Sequence, residues 1–220
     1  MPELRICFSK LGTARYISHL DLMRTMQRAL LRAGISIRHT NGFHPHPYIS
    51  IPLPLPLGFS SECEILEFGL EGGATIGSVP SQINAALPSG ITVQRCYEKA
   101  RPFKQLAFVR YEITLEFESA CADAAALAFR DLISQETLLI TKRSKSKTGF
   151  SEIDLIPLID KVETVHPMGN VLHLSLILQA QNPGLNPDIL ITAFRKAYDQ
   201  PFFASFHRKA ILDEEKNPFE

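Results

Sequence analysis

The segment "GFHPHP" (42–47) carries the residues best suited to chemistry, two histidines that alternate with two prolines. An imidazole changes its charge near neutral pH, and it can bind a metal, accept a proton or hydrogen-bond to a ligand. A residue that precedes proline is restricted to extended conformations, and here those residues are His44 and His46 themselves. The pattern therefore predicts an extended loop that opens at Gly42 and holds both imidazoles toward a cleft.

Two chemical interpretations of these histidines need further residues. A zinc site would need at least a third ligand, for which His39 or His19 is nearest in the sequence, and no acidic partner stands at a motif spacing. Alternatively, His44 or His46 would act as the general base of a metal-independent endoribonuclease, with lysine or arginine stabilising the transition state.

Two other interpretations need less. In one, the loop binds a base or small ligand by stacking and hydrogen bonding through Phe43, His44, His46 and Tyr48, and its prolines reduce the entropy lost on binding. In the other, the five prolines of residues 41–68 only stiffen a crossover between strands.

A helix is predicted to begin after Ser18 and to end at Gly34. Ser18 suits an N-cap, and Gly34 suits the position after a C-cap. Its apolar arc contains Leu22, Met23, Met26, Ala29, Leu30 and Ala33, and the opposite side carries Arg24, Arg28 and Arg32. The arginines form either a solvated helix face or, with Arg5, Lys10, Arg15 and Arg38 of the same region, an anion-binding surface.

A second basic segment, "TKRSKSKTG" (141–149), contains Lys142, Arg143, Lys145 and Lys147 and no acidic residue. Such a hairpin tip either grips a phosphate backbone, because each contact releases counterions, or is simply solvated. Acidic residues cluster elsewhere, at Glu62, Glu64, Glu67, Glu71 and 213–215, so the formal net charge of zero is compatible with a dipolar surface.

Composition limits the other classes of function. Four widely separated cysteines lack the spacing of a zinc, redox or iron–sulfur motif, so we expect reduced thiols and no cofactor of the protein's own. The absence of a long apolar run and of a signal region favours a cytoplasmic protein without membrane contact.

The order of predicted elements repeats. The first half reads as strands at 4–10, 35–40, 61–72 and 91–99 with helices at 19–33 and 80–87. The second reads as strands at 107–118, 170–179 and 202–212, a hairpin-like stretch over 137–165, and helices at 121–135 and 186–199. We predict an α+β protein of two tandem ferredoxin-like (βαββαβ) units, over 1–100 and 107–212, each an antiparallel sheet with helices on one face. A charged tail at 213–220 is expected to fray.

Residues 4–70 carry a family resemblance. "RICFSKLGTARYISHLDLMRTMQRALLRAGI" and "GFHPHPYISIPLPLPLGFSSECEILEF" resemble the bacterial radical-SAM-linked family, a domain of unknown function, and a weaker similarity extends through "SEIDLIPLI". The resemblance implies a partner that is a radical S-adenosylmethionine (radical SAM) protein, and a connection to RNA or ribosome biology. The chain lacks a CxxxCxxC motif, so it resembles the accessory module. The element order also resembles that of CRISPR repeat-processing endoribonucleases, at the level of fold alone.

The leading hypothesis is therefore a non-catalytic accessory module of a radical SAM protein that binds RNA, related to tRNA or rRNA, or presents the partner's substrate. Phosphate contacts would come from Arg15, Arg24, Arg28, Arg32, Lys142, Arg143, Lys145 and Lys147, and contacts to a base or substrate from Phe43, His44, His46 and Tyr48. The alternatives are the metal-independent endoribonuclease described above and a pure protein-interaction scaffold.

Overall fold

The structure is a computed structural model that describes residues 3–72, 75–143 and 150–219, without the side chains of residues 142, 143 and 150. These residues form a mixed α+β structure with mostly antiparallel strands and four α-helices. The chain divides into two compact units. The first contains Met1–Gln105, Arg208–Ile211 and Pro218–Glu220, and the second contains Leu106–His207 and Leu212–Asn217. No helix in the described part of the chain is long and apolar enough to cross a membrane.

The first unit is a small antiparallel sheet with two helices. Its elements are β1 (Glu3–Lys10), α1 (His19–Arg32), β2 (Ile49–Ser50), β3 (Ser60–Gly69), α2 (Val79–Asn84) and β4 (Ile91–Glu98). The strand order is β4-β1-β3, with the short β2 paired to the end of β3 at Phe68 and Glu67.

Both helices of the first unit pack on the same face of the sheet. Alternate residues of β1, Leu4, Ile6 and Phe8, belong to one buried cluster with Met26 of α1 and Ile83 of α2. Because side chains alternate across a strand, Arg5 and Cys7 lie on the opposite face.

Helix α1 begins and ends as the sequence predicts. The Ser18 side chain accepts a hydrogen bond from the Asp21 N–H, which caps the first turn. At the other end, the N–H groups of Gly34 and Ile35 bond to the carbonyls of Leu31 and Leu30, with Gly34 at φ 71°. This pairing is a Schellman motif, in which glycine adopts the left-handed conformation at little cost.

The second unit contains β5 (Leu106–Phe117), α3 (Ala122–Ile133), β6 (Leu139–Arg143), β7 (Phe150–Asp154), β8 (Ile159–Met168), β9 (Val171–Gln179), α4 (Pro187–Ala197) and most of β10 (Phe202–Asp213), of which Arg208–Ile211 belongs to the first unit. The strand order is β10-β5-β9-β8, and β6 and β7 form a separate two-stranded sheet. The two helices meet through Phe129 and Phe194, whose ring centroids lie 5.4 Å apart in a T-shaped arrangement.

The structure departs from two of the predicted elements. Residues 35–40 form no regular strand but only the isolated bridges Ile37–Leu70 and His39–Pro47, because their backbone partners are divided between the loop that follows and residues 69–71 at the end of β3. The stretch predicted over 137–165 contains the β6–β7 hairpin and also the separate strand β8, which a 3₁₀ turn at Ile156–Leu158 sets apart.

The end of the chain is also more ordered than expected. Within 213–219, the Asp213 carboxylate accepts hydrogen bonds from the N–H groups of Glu215 and Asn217, at 3.0 and 2.9 Å. The Phe219 N–H bonds to the Ile211 carbonyl at 2.9 Å, and the Phe219 side chain is buried. The expected fraying is therefore wrong for these residues.

Candidate functional site

The GFHPHP segment forms the tip of a hairpin-like loop in the first unit. Its two sides are joined by backbone hydrogen bonds from Tyr48 N–H to the Arg38 carbonyl and from Thr40 N–H to the His46 carbonyl, both of 2.8 Å. The bridge between His39 and Pro47 lies between these two bonds. Residues 41–45 therefore project beyond the last pair as a short, closed tip.

The tip holds His44 and His46 differently. The His46 ring Nδ1 lies 3.0 Å from the Thr40 hydroxyl and 3.3 Å from the His44 carbonyl oxygen, and the His46 N–H donates to the same hydroxyl. Phe43 is fully exposed, at 102% of its reference area. Both histidines are exposed, so one fixed and one less restrained imidazole stand beside an uncovered phenyl ring.

The arginine side of α1 faces away from the core, as predicted, but its three members have different surroundings. Arg24 pairs with Asp21 at 3.3 Å, and Arg32 donates to the Ala86 carbonyl at 2.6 Å. Arg28 has no hydrogen-bond or ion-pair partner among the described residues. Arg28 can therefore bind a ligand without losing an existing contact.

Arg28 also lines an open groove of about 540 Å³ between α1 and the base of the hairpin. The apolar part of the groove is formed by Leu31, Ile35, Ile37 and Pro47. Its polar part is formed by Gln27, Arg28, Ser36, His39 and Glu71. The groove thus joins the arginine stripe to the base of the GFHPHP hairpin, two features that the sequence analysis predicted separately.

Tyr48 does not lie at the tip. Its hydroxyl donates to Glu67 at 3.4 Å, and the Arg38 guanidinium lies 4.6 Å from its ring centroid. Glu67 also pairs with the buried Arg5 at 3.1 Å and with Lys99 at 3.0 Å. Tyr48 therefore belongs to a partly buried ionic network around Glu67, in which burial and the charges of Glu3 and Glu67 raise the pKa of its hydroxyl.

A second buried ionic group lies near the other end of β3. Lys10, Glu64 and Arg208 are 1%, 0% and 2% exposed, and Arg208 Nη1 lies 2.9 Å from Glu64 Oε1. Burial lowers the pKa of Lys10, an effect that the charge of Glu64 opposes and the charge of Arg208 reinforces. The inclusion of Arg5 and Lys10 in a basic surface, and of Glu64 and Glu67 in an acidic one, is therefore wrong.

This buried group fixes two loops. Lys10 Nζ donates to the carbonyls of Arg15 and Ile17, at 3.3 and 2.9 Å. Arg208 donates to the Leu53 carbonyl at 2.8 Å, and the Gly58 N–H donates to the Arg15 carbonyl at 2.9 Å. The turn at Gly12–Tyr16 and the "PLPLPLG" loop (52–58) are thereby held together.

Arg15, another predicted phosphate contact, lies on this turn and donates to the Tyr16 hydroxyl at 2.6 Å. In the predicted basic hairpin, the backbones of Lys142 and Arg143 belong to β6, and their side chains are not described. Lys145 and Lys147 lie outside the described residues. Within the described ranges, no group of three histidine, cysteine, aspartate or glutamate side chains is placed to hold a metal ion.

Sequence reasoning missed the groove's Leu31, Ile37, His39 and Glu71 as members of one site. For Leu31 there was one available signal: it is a large apolar residue on the polar face of the helix, beside Arg28 and Arg32, and it is exposed. The contribution of Glu71 had no signal, because the N–H of Glu71 bonds to the Ser36 carbonyl, 35 residues earlier in the chain, only in the folded protein.

Comparisons with known proteins identify the family of the chain. No curated protein matches it. Two solved structures are similar at low identity. An unknown protein from Galdieria sulphuraria is 12% identical, and the match covers 92% of this chain and 96% of that chain with a TM-score of 0.28. A putative glycine cleavage system transcriptional repressor is 10% identical, and the match covers 94% of this chain and 98% of that chain with a TM-score of 0.25. Residues 3–187 match the family model described as "Uncharacterized protein conserved in bacteria (DUF2344)". The chain therefore belongs to this uncharacterized bacterial family.

Proposed function

We propose that the protein is a non-catalytic module that binds single-stranded RNA through the groove, the exposed side of α1 and the tip of the GFHPHP hairpin. The observation that carries the proposal is the groove itself, which joins an unpaired arginine, Arg28, to the base of a hairpin that presents Phe43 and His44 to solvent. RNA recognition uses this combination, because phosphates require cations and unstacked bases require flat or apolar contacts.

The charges near the groove favour an anionic backbone. Arg24, Arg28 and Arg32 recur at four-residue intervals along about two turns of α1, and all three are exposed. Among the described residues, a carboxylate pairs with Arg24 alone of the three, and that pair is exposed and therefore weak. A phosphate chain along this side of the helix would neutralise charges that otherwise repel one another.

The hairpin is suited to binding because it is ordered in advance. Backbone pairs at Arg38–Tyr48 and Thr40–His46, together with Pro45 and Pro47, fix the path of the chain on both sides of the tip. A tip that is already ordered loses little conformational entropy when Phe43 stacks on a base.

We also propose that the module serves a radical SAM protein in the cytoplasm, on the basis of the resemblance over residues 4–70. Each unit is proposed to be ferredoxin-like, because its first strand, β1 or β5, lies between its last and its third strand in a split β-α-β order. Neither proposal is needed for the binding experiment below.

Fluorescence anisotropy with a labelled single-stranded RNA tests the binding proposal. Affinity should fall steeply as salt increases, and Arg28→Glu should weaken binding at least about tenfold without a change in melting temperature. Arg130→Glu is the matched control, because Arg130 is exposed on α3 and bonds to a backbone carbonyl. Absence of binding at low salt, or binding that salt does not affect, would exclude this function. The RNA should also be recovered intact, because the proposed module is non-catalytic.

Replacement of both histidines tests the role of the tip. His44→Ala with His46→Ala should leave the melting temperature nearly unchanged, because both side chains are exposed, and should reduce RNA affinity at least about tenfold. A double variant that unfolds readily but binds normally when folded would show that the histidines only shape the loop.

A further inference from the structure

The groove contains two opposite charges that do not pair with each other. Arg28 and Glu71 both line it, both are exposed, and neither side chain has a hydrogen-bond or ion-pair partner among the described residues. Carboxylates and guanidinium groups that share a groove usually pair. Because these two do not, the Arg28 guanidinium is free to bind a negative group of a ligand, and the Glu71 carboxylate is free to accept hydrogen bonds from the ligand's donors.

The lining of the groove is largely apolar apart from these charges. Leu31, Ile35 and Ile37 line it, and the Schellman turn at Gly34 sets the position of Ile35 by a 3.0 Å hydrogen bond to the Leu30 carbonyl. A groove of about 540 Å³ lies within the range of small-ligand sites, which is about 300–1,000 Å³, and so can accept a nucleotide. An apolar floor with polar groups at its edges suits the flat face of a base.

The carboxylate selects among the bases. Glu71 can only accept hydrogen bonds when it is ionised, and its two oxygens match a pair of adjacent donors. Guanine presents such a pair, N1–H and the 2-amino group, on its Watson–Crick edge. Adenine, cytosine and uracil each place an acceptor beside their donor, and this acceptor would face the negatively charged carboxylate unfavourably.

We infer that the groove binds a guanine base of single-stranded RNA, with Glu71 accepting from N1–H and the 2-amino group and Arg28 contacting the adjacent phosphate. The inference rests on the proposed RNA-binding function and specifies the base. His39 lies at the edge of the same groove, and Phe43 lies on the tip that continues from it, where a neighbouring base would stack.

The test uses the full chain and labelled oligouridylates of about eight nucleotides in which one central uridine is replaced by guanosine, adenosine, cytidine or inosine. The guanosine oligomer should bind at least about tenfold more tightly than the others. Inosine, which retains N1–H but lacks the 2-amino group, should lose most of this advantage.

Two matched variants complete the experiment. Glu71→Gln should remove the guanosine preference, whereas Glu98→Gln, which removes an exposed carboxylate outside the groove, should retain it. Equal, salt-dependent affinity for all oligomers, or a preference that survives Glu71→Gln, would overturn the inference and leave the RNA-binding function standing. Failure of every oligomer to bind at low salt would overturn both.

Discussion

At the scale of single residues, β3 carries two glutamates that differ chiefly in their burial. Glu64 pairs with Arg208 and Glu62 pairs with Lys209, each at 2.9 Å. The first pair is 1–2% exposed, whereas the side chains of the second are more than 40% exposed. Solvent screens the second pair, but loss of one member of the first leaves uncompensated buried charge.

Glu64→Gln should therefore destabilise the protein by about 3 kcal/mol, because Lys10 and Arg208 would stay buried without a counter-charge. Glu62→Gln should change the free energy of unfolding by less than about 1 kcal/mol. Urea titrations of both variants measure the difference. Similar effects in the two variants would mean that solvent reaches the buried group.

A second residue-scale prediction concerns the dependence of folding stability on pH. Burial raises the pKa of Glu163, but hydrogen bonds from Arg110 and Ser175 and the charge of Arg110 outweigh it, so the pKa lies below its ordinary value of 4.5. A lowered pKa in the folded state adds stability above the unfolded pKa, and this stability is lost as the pH falls through the folded value.

Glu163→Gln should consequently cost about 1 kcal/mol at pH 7, and the difference from the unmodified protein should shrink as the pH is lowered below about 4.5. Thermal unfolding from pH 7 to pH 3 measures it. A difference that stays constant over this range would show that the ionised carboxylate contributes nothing.

At the scale of elements, α1 shows the strength of sequence reasoning and segment 35–40 shows its limit. The bounds of α1 depend on Ser18 and Gly34, which act within a few residues, and its buried stripe of Leu22, Met26, Ala29 and Leu30 follows from helical period alone. Met23, expected in the core, is only partly buried at its edge. Segment 35–40 has a strand-like composition, but its backbone partners are divided between residues 46–48 on the other side of the hairpin and residues 69–71 at the end of β3.

Two substitutions two residues apart, and therefore on roughly opposite sides of the helix, test the rotation of α1. Met26→Asp should destabilise the protein by about 3 kcal/mol, because a charge would enter a fully buried position. Arg28→Glu should leave the melting temperature within the range of a surface substitution. Differential scanning calorimetry compares them, and equal losses would mean that the helix is rotated from the position described.

At the scale of the whole molecule, the features that could not be predicted depend on contacts between residues far apart in the sequence. Arg5, Lys10, Glu64 and Glu67 are charged residues within strands, and charged side chains are normally exposed. They are buried because their counter-charges come from elsewhere, as Arg208 does for Glu64 across 144 residues. The candidate groove was likewise predicted only as separate pieces, since it forms where α1 and the hairpin base meet.

The two ends of the chain meet in the first unit. The Arg5 guanidinium lies 3.9 Å from the ring centroid of Phe103 and 5.5 Å from that of Phe219. Phe219 is 4% exposed, whereas Phe203 is 60% exposed. The last described residues are thus part of the core of the unit that contains the first ones.

Phe219→Ala should destabilise the protein by about 3 kcal/mol, because it removes a buried ring and a cation–π contact to Arg5. Phe203→Ala is the matched control and should cost less than about 1 kcal/mol, since its ring is largely solvated. Chemical denaturation of both variants provides the comparison. A negligible effect of Phe219→Ala would show that the end of the chain does not contribute to this core.

The membership of Arg208 in the first unit also has a consequence for biosynthesis. Glu64 leaves the ribosome 144 residues before its arginine, which at typical elongation rates of about 5–20 residues per second is an interval of roughly 7 to 30 s. During that time the Arg208–Ile211 segment of the first unit has not yet been made, and the nascent first unit presents an open edge of β3 beside a carboxylate that lacks its arginine. A chain released before residue 208 would keep that edge permanently, so incomplete products differ from finished ones in a feature that chaperones and proteases can detect.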